Sequence, residues 1–173
     1  MSSVEVRSDP LIQKPARGAL KSILVATDGS HASNEAIDLS LELAAGQQAE
    51  LIVVHVAPTL ELLNTWDDDG GIAVLHQPTE RERALLDIAA EVAASRGVCV
   101  TTALLGGSTA EEIVAYSEAR DVDLIVVGSR GHGAVASALL GSVSLGVLRK
   151  STRPVLVVRG RHPSHAAVDS RNE

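Results

Sequence analysis

Three glycines and a serine carry the chemistry of this chain: Gly128, Gly131, Gly141 and Ser142, spaced G-x2-G-x9-G-S within residues 123–158, DLIVVGSRGHGAVASALLGSVSLGVLRKSTRPVLVV. A residue without Cβ lets backbone N–H groups approach an anion closely and tolerates positive φ. Ser142 falls at or near the start of a following helix, where unpaired N–H groups and the positive end of the dipole favour phosphate. The chemistry implied is anion binding. An apolar run at 124–127 precedes the loop and another at 155–158 follows the helix, so the stretch reads as strand, phosphate-type loop, helix, strand.

The rest of the chain must position that loop, and it does so by alternation. Residues 22–26 form a first strand that exits through Thr27, Asp28, Gly29 and Ser30. A helix follows, capped by Ser30 or Ser33, with a stripe of Ala32, Ala36, Leu39 and Leu43 widened by Ile37 and Leu41, and Gly46 closes it. Residues 51–56 are a second strand, apolar except for His55. Residues 57–78 are one long irregular segment, of a length usually reserved for functional lids or disorder. Thr79 with Glu82 reads as a capping box opening a second helix, whose Leu85, Ile88, Ala89 and Val92 line one face until Gly97. A third strand, 98–105, turns at Gly106 and Gly107. Ser108 with Glu111 repeats the capping box, and Ala110, Ile113, Val114 and Ser117 mark the face of a third helix. The fourth strand is 124–127, the fourth helix 143–150 and the fifth strand 155–158.

Near-continuous apolar strands must be buried on both faces, which requires a parallel sheet with helices on each side. The expected fold is α/β: an open, doubly wound, five-stranded parallel sheet, strand order 3-2-1-4-5. Right-handed crossovers give two windings outward from the first strand. Such sheets bind ligands beyond the carboxyl ends of the strands at the switch point, here between strands one and four. Asp28 and Gly128, a hundred residues apart in sequence, should therefore meet at one crevice.

Composition removes several alternatives. Among 173 residues the hydrophobic share is 45% and the aromatic share 1%, from Trp66 and Tyr116, so the core must be Val, Ile, Leu and Ala. A net charge of -7 and two aromatics argue against a nucleic-acid partner, which needs clustered cations or stacking platforms. Cys99, the single cysteine, permits no disulfide within the chain and is expected to pack in the core. No secretory pattern or membrane-length apolar run is evident, so the expectation is a soluble cytoplasmic protein without membrane insertion. Residues 1–19 and 161–173 read as flexible tails flanking one domain at 20–160.

The glycine spacing resembles the signature of the universal stress protein family, G-x2-G-x9-G followed by Ser or Thr, in its nucleotide-binding branch. The segments ILVATDGS, LIVVHV, VVGSRGHG, GSVSLGVLR and RPVLVV are similar to family segments and cover most of the expected domain. The resemblance implies an adenine nucleotide alpha hydrolase-like fold that binds ATP, or AMP or another adenine nucleotide, at the switch point. It implies that Asp28 contacts the ribose and the adenine side, that Ala26 and Thr27 flank the base, and that Val56 offers backbone to adenine. Gly128, Ser129, Arg130, Gly131, His132 and Gly133, with Gly141, Ser142, Val143 and Ser144, would hold the phosphates. It also implies a homodimer paired through the fifth strand and an unknown protein partner.

Other chemistries fail on inspection. Gly131, Gly133 and Ala136 match G-x-G-x-x-A, but Leu156 stands where a dinucleotide site needs an acid. No Walker lysine, H-x-G-H or S-G-G-x-D-S pattern occurs, and no G-x-S-x-G elbow places a nucleophile. The histidines show no metal-ligand spacing. Asp67, Asp68 and Asp69 are weak candidates for a phosphate-bound Mg²⁺, three adjacent carboxylates being more often a solvated acidic loop. Nothing supplies a general base beside the loop, so no catalytic residue is assigned and turnover is expected to be slow at most. Three readings stay open at this stage: a non-catalytic or very slowly hydrolysing ATP-binding stress module, an interaction protein of the same fold without nucleotide, and a slow ATPase or adenylyl-transfer enzyme.

Overall fold

A computed structural model of the chain describes residues 18–57, 79–131 and 139–160. The elements are β1 (Ser22–Ala26), α1 (His31–Gln47), β2 (Glu50–Ala57), α2 (Glu80–Ser95), β3 (Val100–Gly106), α3 (Thr109–Ala119), β4 (Leu124–Gly128), α4 (Ser142–Lys150) and β5 (Val155–Val158). All strand pairs are parallel, in the order β3-β2-β1-β4-β5. This is the doubly wound order, with β1 at the centre and the crossovers leaving it in both directions.

Alternation of side chains along the strands divides the interior into two cores. Ile23 and Val25 of β1, with Leu51 and Val53 of β2, pack against Ala36, Leu41 and Ala44 of α1 and Leu86, Ala89 and Ala93 of α2. Leu24, Ile52 and Val54 face the other way, against Ile113 and Val114 of α3 and Val147 of α4. Each fully buried Leu, Ile or Val contributes about 1.5–3 kcal/mol, and among the described residues thirteen such side chains are less than 2% exposed. An almost aromatic-free core is thus filled by branched aliphatics, as the composition requires.

Local details depart from the sequence expectation in four places. Helix α1 runs past Gly46 to Gln47, and Gln48 takes the left-handed turn at φ 55, with the Ala49 N–H closing onto the Ala44 carbonyl. Buried Ala49 has to enter β2 at that point, so the turn lies two residues beyond the glycine. The buried face of α2 is Leu86, Ala89 and Ala93, one step round from the expected stripe, which leaves Ile88 59% exposed. Cys99 is exposed in the turn before β3, because that strand starts at Val100 and it is Val98 that is buried. Ser108 is the N-cap of α3 but makes no side-chain capping bond. Glu111 pairs with Lys150 of α4, and that hydrogen bond and charge, with a smaller contribution from a hydrogen bond to the Ser108 side chain, hold its carboxyl below its usual 4.5. The capping box at Thr79 and Glu82, by contrast, forms in full, and Ser30 caps α1 through the Ser33 N–H.

Candidate functional site

The carboxyl ends of β1 and β4 lie side by side, and two short exits build the crevice above them. On the β1 side, Ala26 ends the strand half-buried, and the Thr27 N–H donates to the Val54 carbonyl at 2.9 Å. The Thr27 hydroxyl lies 3.3 Å from that of Ser33 and accepts the Gly29 N–H at 3.2 Å. Thr27 therefore spends its polar groups on the scaffold, which fixes where the next residue points. Asp28 Oδ1 accepts the Ser30 N–H at 2.9 Å, a local turn of the kind aspartate favours. Its other oxygen is aimed at the opposite loop: a Cβ placed on Gly131 would collide with Asp28 Oδ2. Only glycine fits there while the carboxylate keeps its place.

On the β4 side, the Ser129 N–H donates to the Val158 carbonyl at 2.6 Å, and the Gly141 N–H returns to the Ser129 carbonyl at 2.7 Å. Buried Ser144 shares its hydroxyl proton between the carbonyls of Ser129, at 3.2 Å, and Gly141, at 3.0 Å. These bonds seat the first turn of α4 directly on the loop. Gly141 is the N-cap and has no side chain to cap with, so no side chain at the cap position satisfies the N–H groups of Ser142, Val143 and Ser144 that open the helix. Exposed Ser142 and Val143 flank that end, which carries the positive pole of the helix dipole.

A seam joins the two sides. The Ser30 hydroxyl, while capping α1, donates to the Arg130 carbonyl at 3.3 Å. Gly128 lets α1 come close: a Cβ on it would lie 2.8 Å from the Ala32 carbonyl carbon and 2.9 Å from the Ser33 nitrogen. Among the described residues the glycines at positive φ are Gly29, Gly97 and Gly107, not those of the signature. Gly128 and Gly131 are thus required for close approach rather than for backbone conformation.

Val56 sits at the far wall. The backbone groups of a strand alternate in direction, so those of Val56 point the way of Val54, whose carbonyl meets Thr27; they face the crevice just past the end of β1. The structure thus brings together Ala26, Thr27, Asp28, Val56, Gly128, Ser129, Arg130, Gly131, Gly141, Ser142, Val143 and Ser144. His132 and Gly133, and the acidic Asp67, Asp68 and Asp69, lie outside the described residues. Among the described residues no group of three or more His, Cys, Asp or Glu converges as a metal site.

Two contributors go unseen in the sequence. Ser30 is legible as a cap but not as the bridge to Arg130. His55 is visible only as the one polar residue in an apolar strand; its Nδ1 lies 2.7 Å from the Thr27 carbonyl.

Together these features define a class: doubly wound α/β proteins whose glycine-lined crevice lies at the switch point between β1 and β4. The chain belongs to the universal stress protein family, whose family model matches residues 19–159. It is 38% identical over 146 residues to the universal stress protein YxiE of Bacillus subtilis, covering 79% of this chain and 97% of that one. A universal stress protein of Methanocaldococcus jannaschii is 31% identical over 139 residues, covering 80% and 82%. A crystal structure of a universal stress protein in complex with cAMP superposes with a TM-score of 0.62 at 27% identity, over 83% of this chain and 99% of the other. No helix among the described residues is long and apolar enough to cross a membrane.

Proposed function

We propose that this chain is an ATP-binding universal stress protein, a non-catalytic or very slowly hydrolysing module whose assembly or partners change with nucleotide occupancy in the cytoplasm. The observation that carries the reading is the pairing across the crevice: the Asp28 carboxylate fills the space a side chain at Gly131 would take, beside the uncapped start of α4. One side offers a hydroxyl acceptor suited to ribose, the other N–H donors and a dipole suited to phosphate. The cAMP bound by the structural relative supports an adenine nucleotide in this fold.

In this reading Asp28 and the backbone of Val56 orient the nucleoside, with Ala26 and Thr27 beside the base. Gly128, Ser129, Arg130, Gly131, His132, Gly133 and Gly141 to Ser144 carry the phosphates. Mg²⁺ would accompany them when bound and neutralise their charge. No general base is assigned beside the phosphates, so turnover is expected to be slow. Half-buried β5, next to exposed Leu145 and Leu148 of α4, supports pairing of two copies along that edge.

The test is direct. Protein purified and then denatured should release adenine nucleotide, and stripped protein should bind ATP on titration, with AMP and cAMP as competitors. Ser142→Ala should weaken ATP more than adenosine. No released nucleotide together with no binding would leave an interaction protein of the same fold. ADP formation that persists in fresh preparations and vanishes in Gly131→Val would instead make it an enzyme.

A further inference from the structure

His55 lies at the meeting point of three elements. Its side chain and that of Glu82 are each 12% exposed, and its ring spans the gap between β1 and α2. A carbonyl oxygen can only accept, so Nδ1, 2.7 Å from the Thr27 carbonyl, carries a proton. The other ring nitrogen then faces Glu82 Oε1 at 3.9 Å. The second oxygen of Glu82 accepts the Thr79 N–H at 2.8 Å and the Thr79 hydroxyl at 2.9 Å. The α2 cap, Glu82 and His55 thus line up toward the peptide unit immediately before Asp28, with the His55–Glu82 step at ion-pair rather than hydrogen-bond distance.

Resting on the reading of the crevice as a nucleotide site, we infer that His55 is a positioning residue for that site. It touches no ligand atom itself. By holding the Thr27 carbonyl it fixes the plane of the Thr27–Asp28 peptide, and with it the direction in which the Asp28 carboxylate leaves the backbone. The same ring also faces Glu82 at the start of α2, across a distance too long for a hydrogen bond. Loss of the ring leaves a part-buried carbonyl without its donor, which reorients the peptide rather than leaving it unpaired.

Three substitutions separate the two contacts. His55→Asn would place an amide donor where Nδ1 stands but cannot reach Glu82; His55→Gln reaches toward Glu82 and leaves Thr27; His55→Leu does neither. The expected order in ATP titrations of stripped protein is wild type close to His55→Asn, with His55→Leu and His55→Gln about tenfold weaker. Amide hydrogen exchange without nucleotide supplies the second readout. His55→Leu should speed exchange at Gly29 and Ser30, and His55→Asn should speed it only at the α2 cap. Unchanged ATP affinity in His55→Leu and His55→Gln would overturn the inference, as would a loss in His55→Asn equal to that in His55→Leu. If wild-type protein binds no nucleotide, the site reading fails first. The exchange pattern then still decides the inference: protection of Gly29 and Ser30 that is indifferent to His55 ends it.

Discussion

Replacing Gly128 by alanine should cost stability without any ligand, and replacing Gly131 should not, although both belong to one signature. The added methyl at 128 would stand 2.8 Å, 2.9 Å and 3.0 Å from three backbone atoms of Ala32 and Ser33. Those atoms belong to the first turn of α1, pinned by the Ser30 cap, so the helix must move as a body. Overpacking of this kind costs about 1–3 kcal/mol, and at roughly 2–4 °C per kcal/mol for a chain this long the unfolding temperature should fall by about 2–12 °C. At 131 the obstructing atom is the far end of the flexible Asp28 side chain, which can move aside more cheaply than a helix backbone can. Thermal unfolding by circular dichroism at one protein concentration, on nucleotide-free samples, reads the difference. A Gly128→Ala protein that melts with wild type, or a Gly131→Ala protein that loses as much, would refute the assignment of one glycine to helix approach and the other to the carboxylate.

Gly146→Leu should lower stability by about 1–3 kcal/mol in urea titrations, because a Cβ there would lie 2.7 Å from that of Ala110 and must push α4 off α3. Gln48→Gly should raise it by about 0.5–1 kcal/mol, since a non-glycine residue now holds the left-handed turn; a lower urea midpoint would contradict this. Glu111 is held below its usual 4.5 by the Lys150 hydrogen bond and charge, so its contribution is present above that pH and is lost as pH falls through the lowered value. The difference between wild type and Glu111→Gln should therefore be visible near neutrality and close on acidification, and a gap that persists at the acid end would show the pair is not its source.

Topology and the crevice were legible because they depend on features that survive in one dimension: apolar runs of strand length, glycine spacing and the handedness of crossovers. Asp28 and Gly128 could be paired from strand order alone. What the sequence concealed was set by packing. The buried face of α2 is centred on Leu86 rather than Leu85, about 100° round the helix, and apolar residues on several sides of an alanine-rich helix leave periodicity unable to choose between the two faces. Cys99 looked buried because its neighbours are valines, yet Val98 is buried and Val100 packs against the core while Cys99 between them is exposed. The work of Ser30 and His55 depended on partners a long way off in sequence, which no local pattern encodes.

The Ser30–Arg130 bond spans 100 residues, and the contact of Asp28 with Gly131 spans slightly more. Such contacts are the slowest to form, because the entropy of closing so long a loop is spent before any bond rewards it. During synthesis the β1 exit emerges long before the β4 loop it must meet, and until β4 has inserted beside β1 there is no crevice at all. Whatever occupies it can bind only a chain whose central strands are already in place, so occupancy is also a report that folding has finished.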